Sequence, residues 1–387
     1  MLFNSITFLV FLSLVTTLFW CLKPKSRILL LFTSSIVFYG FWRWDFVLLM
    51  LFSTCIDYFI SLKIHNEEKN KPRFILLLVS LVLNLSLLVV FKYLLFISYN
   101  INSFSQLLDL GFKVNTIHLI LPLGISFYTF QTISYTIDVY RKHLIPEKNF
   151  FKYGTFVTFF PQLVAGPILR AGEVMSELSH TRKFNLDFII SGGKRILTGL
   201  FLKVVLADNI APIVDAGFLN QVSEYTAIDV LVLAYLFGFQ IYFDFAGYSH
   251  IAIGCAKIMG IHFPENFNFP YLAYSFKNFW KRWHISLSSW IRDYLYLPIL
   301  GVKIKNRESL SKGGLAVVVN KDSRSPTLAL FLTWAIMGLW HGANWTFAFW
   351  GIYHAFFIFI ERFIPKKFNQ FKFINKFTGW LIVLPIT

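Results

Sequence analysis

The chain reads as an all-α polytopic membrane protein, and three observations say so. Its 387 residues are 56% hydrophobic and 19% aromatic but only 14% charged, against roughly 25% charged in soluble domains. Apolar runs of about the 20 residues that a helix needs to cross a bilayer recur from the first residues onward. Lys and Arg gather in the short loops between those runs, so the net charge of +16 reflects the bias of basic residues toward one membrane face. Nucleic-acid binding is not needed to explain it.

Taken in order, Leu2–Leu22 forms the first span. No basic region precedes it and no small-residue cleavage site follows, so it is read as a span and not as a signal peptide. After Lys23, Lys25 and Arg27, the apolar stretch Ile28–Leu62 is long enough for two spans. Their turn is expected at Gly40-Phe41-Trp42-Arg43-Trp44-Asp45, flanked by interfacial aromatics. Lys63, Lys69, Lys71 and Arg73 come next, then a span from Phe74 to Ser98, a polar and nearly neutral segment Tyr99–Asn115, and a span from Ile117 to Tyr140 that ends at Arg141 and Lys142. With alternating spans, the basic loops at 23–27, 63–73 and 141–142 share one face. The positive-inside rule makes that face cytoplasmic and the N-terminus extracytoplasmic.

Beyond residue 150 the alternation fails. Phe151–Leu169 is broken by Pro161, Gly166 and Pro167; Gly192–Phe218 is amphipathic, with Lys194, Arg195, Lys203 and Asp208; Ala227–Gly254 carries Asp244 and His250. Irregular backbone at membrane depth must be buried in protein or line a cavity, so short, tilted or re-entrant helices around a cavity are expected here. Val302–Pro326 is basic and polar and is expected to be an exposed loop. Phe377–Thr387 is about half a span, so the last segment is expected to be incomplete or only partly embedded. No internal repeat is seen, and residues 1–387 are read as a single integral membrane domain.

Ionisable groups inside membrane sequences are costly and usually functional, which singles out three residues. His284 lies in Phe279-Trp280-Lys281-Arg282-Trp283-His284-Ile285-Ser286. If 277–294 is one helix, Trp280, Trp283, Leu287, Trp290, Ile291 and Tyr294 share a face, with Lys281, Arg282, Ser289, Arg292 and Asp293 mostly opposite. That is an interfacial amphipathic helix, with His284 at the margin of its aromatic face. Packing and function are equally good readings of His284 there. His341 is the stronger candidate. Pro326–Ile360 is almost continuously apolar and too long for one ordinary span, and His341-Gly342-Ala343-Asn344 supplies turn residues near its middle. His341 is therefore expected at a helix break deep in the bundle, where a neutral imidazole can serve as a general base. Asp244, in Tyr242-Phe243-Asp244-Phe245, needs a cationic partner, and a structural ion pair with an Arg or Lys is favoured over catalysis. Asp57 and Asp208 take the same reading, and His354 reads as packing. The chain has no GxSxG, HExxH or Walker glycine motif. Cys21, Cys55 and Cys255 are scattered without metal spacing, so neither a metal nor a tightly bound cofactor is expected.

Six segments carry a resemblance. They are Leu121-Pro122-Leu123-Gly124-Ile125-Ser126-Phe127-Tyr128-Thr129-Phe130-Gln131, Ile137-Asp138-Val139-Tyr140-Arg141, Phe160-Pro161-Gln162-Leu163-Val164-Ala165-Gly166-Pro167-Ile168, Tyr242-Phe243-Asp244-Phe245-Ala246-Gly247-Tyr248, Phe279-Trp280-Lys281-Arg282-Trp283-His284 and Gly338-Leu339-Trp340-His341-Gly342. In this order the chain resembles the membrane-bound O-acyltransferases, in the bacterial branch of the alginate O-acetyltransferase membrane subunit. The resemblance implies a ring of transmembrane and re-entrant helices around a funnel and tunnel. It places the protein in the bacterial cytoplasmic membrane. It implies transfer of a short acyl group, acetyl above all, from a cytoplasmic thioester such as acetyl-CoA to a hydroxyl of a cell-surface polysaccharide. A separate extracytoplasmic acetyltransferase is the implied partner that completes the glycan step.

Carried over by position, His341 matches the family's catalytic histidine and His284 its second position. Trp283, Trp340, Asn344, Asp244 and Gln131 are the accompanying candidates for binding substrate or lining the tunnel. Where the family often has a Pro-Leu-Gly-Gly-Asn-like stretch, this chain has Leu297-Pro298-Ile299-Leu300-Gly301-Val302 and a long loop, which is expected to shape one tunnel mouth. The chain is also shorter than that branch leads one to expect. Two other readings stay open: D-alanyl transfer from a carrier protein to teichoic acid, and a transporter using His341 and His284 as a proton path.

Overall fold

The computed structural model describes residues 1, 3–180, 182–219, 225–304, 317–318 and 325–363. These are helical apart from turns, loops and one antiparallel ladder that pairs Lys303–Ile304 with Val317–Val318. Most of the expected Val302–Pro326 loop, and all of the half-span Phe377–Thr387, lie outside the described residues. Among the described residues, four helices are long and apolar enough to cross a membrane: Trp44–Asn66, Asn70–Leu107, Leu186–Leu219 and Ala227–Ile258. Ile6–Cys21, Pro326–His341 and Trp345–Ile360 are shorter apolar helices.

The chain divides into two compact units. The first holds Met1–Val47 and Phe151–Ser288. Ser5 caps Ile6–Cys21 by accepting from Phe8 N–H, and Pro24 opens Pro24–Gly40, a position where its missing N–H costs nothing. The expected turn near Gly40 is there, with the next helix starting at Trp44. In place of the short or re-entrant pieces expected between 192 and 254, two long helices run side by side. Ala227–Ile258 opens on a capping box between Thr226 and Asp229. It meets Leu186–Leu219 through glycines: a Cβ on Gly199 would lie 2.6 Å from Gly247 O, and one on Gly254 would lie 2.8 Å from Gly192 O. Such backbone contact through small residues is how helices associate tightly in lipid. Phe150–Thr158 and Phe160–Leu163 are short, as Pro161 requires, and pack Phe156, Phe159, Phe160 and Leu163 fully inside.

The second unit holds Leu48–Phe150 and Ser289–Phe363. Asn70–Leu107 is one continuous rod with a π-helical turn at Val89–Tyr93, so the helix runs on through half of the segment read as a polar loop. The span expected from Ile117 starts only at Ile125, because Pro122 and left-handed Gly124 (φ 72°) hold the preceding chain out of the helix. Ile125–Tyr140 is buried along nearly its whole length. Asp57 is fully buried, and it is served by hydroxyl and amide instead of a cation: Ser80 Oγ donates to it at 2.5 Å and Asn84 Nδ2 at 2.7 Å.

Candidate active site

The single helix expected over 277–294 does not form. Phe276–Trp280 ends, and the next helix begins at Ile285. Between them His284 adopts φ 40°, a left-handed conformation that costs a non-glycine residue about 1–2 kcal/mol and concentrates at functional sites. The break overrides the amphipathic pattern. Leu287 and Trp290 are buried as that pattern predicts, but Trp283 is half-buried and Asp293, assigned to the polar side, is only 3% exposed.

Asn266 is what holds the break. Its carbonyl accepts from Ile285 N–H at 2.9 Å, and its side-chain Oδ1 accepts from Ser286 Oγ at 2.8 Å. The same Oδ1 lies 3.0 Å from His284 Nδ1, while Asn266 Nδ2 donates to Ser249 Oγ at 3.1 Å. An oxygen opposite Nδ1 selects the tautomer with Nδ1–H and leaves the lone pair on Nε2. The ring stands edge-on to Phe245 at 4.7 Å and is 2% exposed. Trp283 packs with Phe267, Tyr271 and Phe279. Burial, with Tyr242 nearby, raises the Tyr271 phenol above its ordinary range, and its hydroxyl donates to Gly238 O. Asp244 is an ion-pair partner, as its sequence suggested: Lys203 Nζ lies 2.5 Å from Asp244 Oδ1 and 2.8 Å from Asp208 Oδ1.

In the second unit, Pro326–His341 and Trp345–Ile360 form a helical hairpin broken at the expected tetrapeptide. Asn344 caps the second helix, its Oδ1 accepting from Thr346 N–H at 3.0 Å, so its side chain is committed to the turn. The helices touch at Gly338 and Gly351; a Cβ on either would lie 2.1 Å from a backbone oxygen of the other helix. His341 closes the first helix with its ring against Trp340 at 4.8 Å and Trp350 at 5.1 Å. His341 sits at the expected helix break and keeps an exposed surface, although protein atoms surround its ring densely. It ends a helix and is followed by the extended backbone of Gly342 (φ −159°, ψ 145°), which carries no side chain to cover it. His354 is fully buried between Trp334 and Trp350, as a packing residue should be. Trp340 stacks on Phe130 at 5.2 Å, and Phe130 stacks on Trp290 at 4.1 Å. Gln131, next along that helix, is 3% exposed.

Two residues passed over in the sequence stand out. Lys92 lies in the π turn of a membrane-spanning helix and donates to the carbonyl of Trp340, with its ammonium over the Trp340 ring. Asn266 organises the His284 break. Lys92 was visible as a lone charge inside an apolar run, a pattern that marks function; nothing in Pro264-Glu265-Asn266-Phe267 announces the second. Among the described residues, no group of three His, Cys, Asp or Glu side chains is placed to hold a metal ion. Thus His341, Trp340, Asn344 and Gln131 belong to one unit, and His284, Trp283 and Asp244 to the other.

The family model for the membrane-bound O-acyltransferases matches residues 28–319. The chain belongs to that family. This membrane-bound O-acyltransferase is 38% identical over 398 residues to the probable alginate O-acetylase AlgI of Azotobacter vinelandii, covering 99% of the chain and 74% of that protein. It is 34% identical over 388 residues to the peptidoglycan O-acetyltransferase of Helicobacter pylori, covering 93% and 69%. Similarity to the teichoic acid D-alanyltransferase of Bacillus subtilis is 30% over 272 residues, covering 68% and 64%. The chain is therefore a membrane enzyme of O-acyl transfer that works with an acyl donor, and a reading as a transporter is set aside.

Proposed function

We propose that this acyltransferase moves an acetyl group from a cytoplasmic thioester to a hydroxyl of a cell-surface polysaccharide, with His341 as general base. The observation that carries the reading is the geometry of His341, an accessible imidazole on a helix break, walled by Trp340 and Trp350. A base must reach the proton that it removes, and aromatic walls limit competing water. In the step, the imidazole takes the proton of the acceptor hydroxyl as its oxygen bonds to the thioester carbonyl carbon. The tetrahedral intermediate then expels the thiolate, which leaves as a thiol with the proton that the imidazole had taken. Lys92 holds the carbonyl end of the His341 helix in place.

Acetyl is favoured over D-alanyl because the two O-acetyl-transferring relatives align over more than nine-tenths of the chain, and the D-alanyltransferase over about two-thirds. The same reading puts the N-terminus outside the bacterial cytoplasmic membrane and gives the enzyme an extracytoplasmic partner protein. The test is His341→Ala, with O-acetyl content of the surface polysaccharide measured beside the membrane level of the protein. Loss of acetylation at normal protein level is expected. Unchanged acetylation would end the assignment of His341, and D-alanine esters in place of acetate would move the substrate to teichoic acid.

A further inference from the structure

Where Ile6–Cys21 gives way to Pro24–Gly40, the first unit encloses a cavity of about 180 Å³ lined by Lys25, Arg27, Lys152, His180 and Arg182, with Glu177 as its one carboxylate. That carboxylate is already neutralised: Arg182 pairs with Glu177 at 2.5 Å, and His262 N–H donates to the same oxygen. Arg27 is fixed as a wall. It donates to Leu22 O at 3.1 Å and Arg182 O at 2.8 Å, and its guanidinium lies over Phe19 and Trp20. Four Lys and Arg side chains against that one carboxylate make the lining cationic, with Phe19, Ile28 and Leu31 as its apolar part.

A second opening of about 490 Å³ runs beside the same helix past Leu12, Thr16, Trp20, Phe184 and Ile258. Leu12 to Trp20 covers two turns of helix, about 12 Å. Trp20 lines this second opening, anchored by its indole N–H to Ile258 O at 3.1 Å and standing edge-on to Phe184 at 5.5 Å. A cationic chamber at the end of an apolar helix, with an apolar groove beside that same helix, is complementary to an anionic amphiphile.

We infer that this chamber and groove bind one anionic phospholipid, its phosphate among Lys25, Lys152, His180 and Arg182 and an acyl chain along the groove past Trp20. The chamber opens from the basic loop 23–27, which the positive-inside rule assigns to the cytoplasmic face, where anionic lipid meets juxtamembrane lysines. The site is independent of the proposed role of His341.

The experiment is native mass spectrometry of the full chain in detergent, titrated with phosphatidylglycerol, with phosphatidylcholine of the same acyl chains, and separately with coenzyme A. Phosphatidylglycerol is expected to bind in preference to phosphatidylcholine. Each lysine removed should weaken it about five-fold, so Lys25→Ala with Lys152→Ala together should weaken it about 25-fold. Lys25→Arg with Lys152→Arg should restore binding, and Lys63→Ala, on another basic loop, should leave it unchanged. Equal binding of the two lipids, or parental affinity in the double alanine variant, overturns the inference. Coenzyme A binding that depends on the two lysines, with no headgroup preference among lipids, also overturns it and reassigns the chamber to a nucleotide-bearing thioester.

Discussion

Replacing Asn266 by Leu tests whether the left-handed break at His284 is a built feature of the site. The side chain is fully buried and makes contacts to Ser286 Oγ at 2.8 Å, Ser286 N at 3.3 Å, His284 Nδ1 at 3.0 Å and Ser249 Oγ at 3.1 Å. At about 0.5–1.5 kcal/mol net for each hydrogen bond, the four together are worth about 2–6 kcal/mol. Leucine has as many side-chain heavy atoms as asparagine, so no large cavity adds to that figure. The strained conformation of His284 then lacks the acceptor that holds it, and the chain should relax toward an ordinary backbone. The assay is thermal unfolding of the detergent-purified protein, together with O-acetyl content at a temperature where the variant stays folded. A large drop in midpoint and loss of acetylation in the still-folded protein are expected. Asn266→Asp retains Oδ1 and should keep more of both properties. A Leu variant with parental midpoint and parental acetylation would show that the break is held by other contacts and refute this account.

Two further expectations follow from particular geometries. Gly351→Ala places a Cβ 2.1 Å from Trp334 O, against about 3.3 Å for an ordinary carbon–oxygen contact, so the hairpin must open by about 1 Å. Displacement on that scale can cost about 100-fold in rate, and single-turnover acyl transfer should fall accordingly; a parental rate would refute it. Glu177 should make stability fall on the acid side. Burial alone would raise its carboxyl, but the His262 N–H and the Arg182 guanidinium outweigh burial and hold it below the ordinary range. Its contribution is complete above the unfolded value, about pH 4.3, and disappears as pH falls through the lower folded value. The midpoint difference between parent and Glu177→Gln should therefore shrink on acidification below about pH 4.3, and a difference independent of pH would count against the pairing.

Much of the architecture was legible in residue order because lipid imposes a simple rule. Apolar length sets the spans, so the first three helices and the Pro326–Ile360 hairpin could be read directly. The hairpin break was legible too, since Gly342 and Asn344 are local turn signals. Errors came where local chemistry and tertiary packing compete. The pattern over 277–294 is a good amphipathic helix, yet Asn266, 18 residues before His284 in the chain, splits it by supplying acceptors that no periodicity records. Ile117 lies in an apolar run that hydropathy alone makes a span, but Pro122 and Gly124 delay the helix to Ile125.

The sequence by itself determined that this protein lives in a membrane, that its charges face the loops, and that His341 and His284 are its candidates for chemistry. Those properties follow from composition, spacing and local turn residues, which act over a few positions. The tertiary structure alone decided that Asp244 is tied to Lys203 and that Lys92 reaches the carbonyl beside His341. Each of these depends on which distant helix supplies the partner, and a buried polar group takes its meaning from that partner.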